Sequence, residues 1–197
     1  GWAGTTLPAI YTGEATREFR QWLPGESYEA VSSLGGSFPF ENLEELYVYP
    51  SEIGYGFITK FDHEFCGRAA LEKARGKPGR KKVRLVWNSE DVLKVHASMY
   101  GDNERNKYME MPVANYANFL ADEVKHDGER VGFSLLPVYS AAAREWISLG
   151  ILDEAVADAG AEVVITWGEP DGGSIRPNVE THTQRPIRAR IETNVVR

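Results

Sequence analysis

The residues best suited to chemistry in this 197-residue chain are aromatic rather than metal-binding. Trp2, Tyr11, Phe19, Trp22, Tyr28, Phe38 and Phe40 crowd the start of the chain, in glycine-bearing loops and around one short helical stretch. A core accounts for most of them, yet Trp and Tyr carried on loops beside glycines also grip flat rings, by stacking plus a polar tip. The four histidines, His63, His96, His126 and His182, show no His-x-x-x-His pair and no clustered cysteines, which speaks against a structural zinc site. His63, between Asp62 and Glu64, could do acid–base work, but such triplets more often form a corner whose carboxylates satisfy backbone donors. His96, on an apolar helix face, reads as a hydrogen-bonded core histidine. Residues 168–174 have the outline of a phosphate loop with Ser174 where the lysine belongs, so a hairpin loop is the better reading. No Gly-x-Ser-x-Gly elbow occurs.

The elements that must hold these groups follow from periodicity and punctuation. Thr12 can cap a helix over residues 13–23, with Ala15, Phe19 and Trp22 on one face and Pro24-Gly25 as its stop. Residues 41–47 read as a short helix burying Leu43, Leu46 and Tyr47. Residues 54–73 read as a strand (57–61), a charged corner (62–64) and a helix carrying Gly67, Ala70, Leu71 and Ala74 on one face, ended by Gly76 and Pro78. Beyond Pro78 the texture becomes extended: Val83, Leu85 and Trp87 alternate as in a half-buried strand. Asn88 or Ser89 then caps a short helix presenting Val92, Val95, His96 and Met99. Strands are expected at 107–111, 119–125, 130–138, 144–152, 162–167 and 187–191, with His126-Asp127-Gly128 as a hairpin turn. Strands so spaced, without long helices between them, predict a small antiparallel barrel or sandwich.

Bulk composition narrows the class. A hydrophobic content of 42% with 26% charged residues is that of a globular protein. No apolar run approaches the ~20 residues of a membrane helix, so no membrane partner is expected. A net charge of −7 argues against a nucleic-acid partner. The single cysteine, Cys66, excludes an internal disulfide and fits a reducing, cytoplasmic setting; between Phe65 and Gly67 it reads as a buried small apolar residue. Lys73, Arg75, Lys77, Arg80, Lys81, Lys82 and Arg84 crowd around Pro78, as a solvated linker and outward strand face or as an anion patch. A start at Gly1-Trp2-Ala3, without Met, suggests a fragment or trimmed chain.

Four stretches carry a resemblance: KFDHEFCGRAALEK (60–73), GGSFPFENLEELYVYPSEIGYGFITKFDH (35–63), VRLVWNSEDVLKV (83–95) and VITWGEPDGGSIRPNVETHTQRPIRARI (164–191). The first resembles the Asp-Phe-Ile-Gly-Arg-Glu-Ala-Leu segment of the glycine cleavage T-protein (aminomethyltransferase) superfamily. Together they look most like its tetrahydrofolate-dependent O-demethylases of vanillate- and syringate-type aryl ethers. Cys66 and Ala69 depart from the usual Ile and Glu. The resemblance implies an α+β chain: a helical, loop-rich end of a folate-binding domain over 1–78, then a C-terminal antiparallel β-barrel over 79–197. An N-terminal domain of the same protein would be missing.

It also implies a reaction, passing a methyl group from a small aromatic methyl ether to N5 of tetrahydrofolate. T-protein-like aminomethyl transfer and a non-catalytic folate-binding module are the alternatives. A departing phenolate needs a proton, and a tyrosine of pKa ~10 is matched to that task. The resemblance points to Tyr11 as the catalytic acid, with Trp2 and Tyr11 against the substrate. For the folate it offers Trp22 as a stacking wall, Lys60, and Arg197 facing a carboxylate. The family's pterin-pairing glutamate segment does not occur in this sequence.

Overall fold

The computed structural model describes residues 6–7, 11–102, 104–173, 176 and 178–193. The leading part holds α1 (Arg17–Trp22), α2 (Tyr28–Val31), the two-residue strand β1 (Leu34–Gly35) and α3 (Arg68–Ala74), joined by loops and 3₁₀ turns. There follow β2 (Arg80–Trp87), α4 (Ser89–Ala97), β3 (Phe119–His126), β4 (Glu129–Ser140), β5 (Glu145–Asp153), β6 (Glu162–Trp167) and β7 (Arg185–Glu192).

The last six strands close into an antiparallel barrel in the order β3-β4-β5-β2-β7-β6. Closure comes from β6 returning to β3 through Val124 opposite Ile165 and Lys125 opposite Val164. Closure leaves no exposed edge among these strands, and the short β1 adds on in parallel, Leu34 beside Phe119 and Gly35 beside Leu120.

Two cores explain the burial. Val83, Leu85, Trp87, Val124, Ile165, Trp167, Ile187 and Ile191 fill one, with Val92 and Val95 of α4 packed on it. Phe119, Ala121, Phe133, Leu135, Leu149 and Ile151 project into the other, where Leu7 and Leu46 from the leading part cover them. Strands β3 to β5 are thus covered on both faces, residues of each strand being shared between the two cores.

Local sequence explains the joints. Asn88 caps α4, its side chain accepting from the N–H groups of Glu90 and Asp91. Asp127 and Gly128 take φ of 51° and 86°, the left-handed pair that a two-residue hairpin needs.

Several expectations are corrected. Residues 57–61 form no strand; Gly56–Ile58 is a 3₁₀ turn. The expected helix over 13–23 divides into a 3₁₀ turn (Glu14–Thr16) and α1, and its aromatic face is not buried: Phe19 and Trp22 stay exposed. Residues 107–111 make no strand; they are flanked by two isolated bridges, Asn106 with Thr183 and Val113 with Val138. Cys66 is exposed, because α3 buries none of its residues and offers the thiol no core to enter. The Asp62 carboxylate binds the His63 ring at 2.7 Å instead of a backbone donor.

Candidate functional site

Where the segment around β1 meets the barrel, polar groups enter a space that apolar residues would be expected to fill. Glu169 follows β6 by two residues and is 1% exposed. Its carboxylate accepts the Gly36 N–H at 2.9 and 3.1 Å and pairs with Lys107 Nζ at 2.8 Å and Arg176 Nε at 3.4 Å. Lys107 is fully buried, with Nζ 4.8 Å from the ring centroids of both Tyr116 and Trp167. The two rings and the carboxylate replace the water that this ammonium has lost.

The same junction is held from β3. Asp122 Oδ1 accepts the Ser37 N–H at 3.2 Å, while Oδ2 is buried with no hydrogen-bond partner. Burial pushes this carboxyl up to about 7, opposed by the Lys107 charge and reinforced by that of Glu169. Ser37 Oγ donates to Thr166 O and accepts from the Glu123 N–H. His182 Nε2 accepts the Glu169 N–H at 2.8 Å while Nδ1 faces Glu180 O at 2.7 Å, which puts the proton on Nδ1. This assembly fixes the loops around it.

What it fixes is a cleft of about 230 Å³ between Tyr28, Glu29 and Ser32 on one side and Asn115, Tyr116, Ala117, Asn118 and Asn178 on the other. Its walls are tied together: the Asn118 N–H donates to Ser32 O at 2.9 Å, and Arg176 donates to Val31 O. Ser32 Oγ is buried without a partner. Tyr116 gives its hydroxyl to Tyr108 O at 2.8 Å, and burial together with the Glu180 charge raises its pKa. Amides, a free hydroxyl and phenol rings can bind and orient a small polar ring. Ligand pockets usually run to ~300–1,000 Å³, so the cleft by itself is smaller than an ordinary ligand pocket.

Tyr28, one of the aromatics crowded at the start of the chain, lines this cleft, and among the residues given a site role from sequence Tyr11 lies nearest to it in connectivity. Its hydroxyl donates to Ser33 O at 3.0 Å, one residue from Ser32, and its ring packs on the second core. Trp22 sits apart, 73% exposed, against Phe19 with ring centroids 6.0 Å apart. Lys60 is exposed, in coil after the 3₁₀ turn. Trp2 and Arg197 lie outside the described residues. Two members of the basic cluster are committed elsewhere: Arg80 pairs with Glu52 at 3.0 Å and donates to Glu45 O, and Arg84 pairs with Glu192. Among the described residues no group of three or more His, Cys, Asp or Glu side chains could hold a metal ion, and no helix is long and apolar enough to cross a membrane.

Sequence reasoning missed Lys107, Asp122, Ser32 and Glu169. No motif marks them; the one usable signal was a pair of acids, Asp122 and Glu123, directly after the apolar Phe119-Leu120-Ala121.

Comparison with known proteins gives this site its context. Syringate O-demethylase of Sphingobium sp. (strain NBRC 103272 / SYK-6) is 42% identical over 189 residues, which cover 96% of this chain and 41% of that protein. Sesamin methylene transferase of Sinomonas sp. (strain No.22) is 36% identical over 137 residues, 64% of this chain and 30% of that protein. The chain therefore spans less than half the length of these curated relatives. No protein-family model matches it.

Proposed function

We propose that this chain is the C-terminal portion of a tetrahydrofolate-dependent O-demethylase acting on a small aryl methyl ether of the vanillate or syringate type. Residues 1–78 would complete the substrate and folate pocket and residues 79–197 form the barrel that braces it. The observation that carries the reading is the 42% identity to syringate O-demethylase across 96% of the chain. The six-stranded antiparallel barrel and the cleft beside it are compatible with that role.

Tetrahydrofolate would supply the nitrogen that takes up the methyl group. A cleft of about 230 Å³ is too small to hold the whole of it. What this chain contributes to the chemistry lies at the leaving oxygen. Breaking the bond between methyl and aryl oxygen leaves a phenolate, and a phenol of matched pKa is suited to protonate it. Tyr11 is the residue assigned that role: its hydroxyl is held by one carbonyl, Ser33 O, from which it can turn to a better acceptor. Trp2 beside the substrate, and Trp22, Lys60 and Arg197 toward the folate, complete the assignment.

The test is turnover by the protein expressed from its full reading frame, given tetrahydrofolate and syringate or vanillate, with methyl-tetrahydrofolate and the freed phenol quantified. Stoichiometric formation of both supports the reading. Folate binding without either product would leave a non-catalytic folate-binding module.

A further inference from the structure

Glu169 and Arg176 lie in the connection between β6 and β7, and the start of that connection is anchored on the barrel. The Glu169 N–H donates to His182 Nε2 at 2.8 Å, and Trp167, the last residue of β6, donates through Nε1 to Lys107 O at 2.9 Å. The Glu169 carboxylate is already compensated by Lys107 at 2.8 Å and by the Gly36 N–H at 2.9 Å. Arg176 adds a second cation there, with Nε 3.4 Å from Oε2 and no hydrogen bond made, so it is not the main partner of the buried charge. Its guanidinium reaches elsewhere. Nη1 donates to Val31 O, across 145 residues of sequence.

Val31 ends α2, and the last carbonyls of a helix need partners from outside it. With four residues α2 is too short to persist unaided, yet it carries Tyr28 and Glu29 of the cleft. Ser32 follows on the cleft wall, and then Ser33, whose carbonyl accepts the Tyr11 hydroxyl at 3.0 Å and the Phe119 N–H at 3.1 Å. We propose that Arg176 is a positioning residue for the demethylation: it fixes the Val31 carbonyl against the Glu169 anchor, and residues 31–33 in turn aim the Tyr11 hydroxyl. The inference rests on the reading that the chain belongs to an O-demethylase in which Tyr11 protonates the leaving oxygen, and it adds the side chain that steadies the support of Tyr11. Arginine suits the task. One planar fork of donors faces a carboxylate on one side and a carbonyl on the other.

The experiment is a double-mutant cycle in the protein expressed from its full reading frame, with Arg176→Met, Tyr11→Phe and the pair together, assayed with tetrahydrofolate and syringate or vanillate. Arg176→Met keeps an unbranched side chain in place and removes the fork. The expected result is kcat lowered about 10–100-fold, the scale of a misplaced catalytic group, with KM for tetrahydrofolate unchanged. Amide exchange should quicken at Ser32 and Ser33, whose N–H groups bond Tyr28 O and Ala30 O. In the Tyr11→Phe background the same substitution should change kcat by less than about twofold, because a residue that acts through another has nothing left to position. Losses that multiply, an unchanged kcat or unchanged exchange each overturn the inference. Should Arg176→Met unfold below the assay temperature, Arg176→Lys, which keeps a cation beside Glu169 without the fork, takes its place in the cycle with the same expected sign. No turnover by the parent protein sinks the proposed activity and the inference with it, whereas parent turnover with independent losses leaves the activity and sinks the inference alone.

Discussion

Lys107 Nζ lies 2.8 Å from Glu169 Oε1, and the two side chains are 0% and 1% exposed. A cation and an anion so far from water depend on each other for most of their compensation, so loss of one is costly. Lys107→Ala is expected to destabilise the chain by about 3 kcal/mol in urea unfolding, because it takes the nearest cation from a buried carboxylate that keeps only Arg176 at 3.4 Å and the Gly36 N–H. The double variant Lys107→Met with Glu169→Gln should recover part of that loss. A single-variant effect below 1 kcal/mol on this order-of-magnitude scale would mean that water reaches the pair.

Asp122 gives stability a pH dependence of defined sign. Its folded pKa of about 7 lies above the ordinary carboxylate value of 3.8, so between those values the folded chain keeps a proton that the unfolded chain releases. Its contribution is full below about pH 4 and is lost as pH rises through 7, by up to about 4 kcal/mol. Asp91 acts in the opposite direction and in another window. Held well below the usual range by hydrogen bonds from Arg188, it contributes above its ordinary pKa and loses that contribution only in stronger acid. Unfolding free energies at pH 5, 6, 7 and 8 should therefore fall in the parent chain and flatten in Asp122→Asn; parallel curves would refute the assignment.

Gly36 tests the junction by sterics. Its φ is +97°, and a Cβ there would meet the Ala121 carbonyl oxygen at 2.0 Å. Backbone cannot yield as a side-chain tip would. Gly36→Ala should cost on the order of 3 kcal/mol and detach the segment that Glu169 holds. Amide hydrogen exchange would read this as lost protection at Gly36 and Ser37.

Ser148 links two buried donors. Trp87 Nε1 donates to its Oγ at 2.9 Å and Ser134 Oγ does so at 2.8 Å. Ser148→Ala leaves both without an acceptor, at a cost of about 1–3 kcal/mol. Thermal unfolding followed by tryptophan fluorescence would measure it, and an unchanged midpoint would show that another acceptor takes over.

Tyr11→Phe, made in the full-length protein, keeps the ring in the second core and removes the proton. Turnover is expected to drop about 10²–10⁴-fold, the usual worth of a general acid, with folate affinity unchanged. The drop should shrink for substrates whose phenols are more acidic, since a better leaving group needs less help. Full activity in Tyr11→Phe would retire the residue from the mechanism.

The strands were legible wherever the chain alternates or turns on strong signals. Val83, Leu85 and Trp87 marked β2, and Asp127-Gly128 marked the β3–β4 turn, because period and turn chemistry are local properties. Helical expectations upstream fared worse. Phe19 and Trp22 have helical spacing, yet both remain exposed, since spacing says which residues share a face and not whether anything covers it. The same gap explains Cys66: a small residue between Phe65 and Gly67 reads as core, but α3 has no core to join.

The sequence by itself determined most of the barrel's strands, a cap for α4 at Asn88 or Ser89, the hairpin turn and the likeness to aryl-ether demethylases, all of which are written in neighbouring residues. Only the tertiary structure decided that Lys107, Asp122 and Glu169 share one dry junction with Gly36 and Ser37, and that Ser32 and Asn178 border one cleft. Those partners lie far apart along the chain: 133 residues separate Gly36 from Glu169 and 85 separate Ser37 from Asp122. No local pattern encodes such meetings. They arise when β6 closes on β3 and removes the water that would otherwise have kept each charge apart.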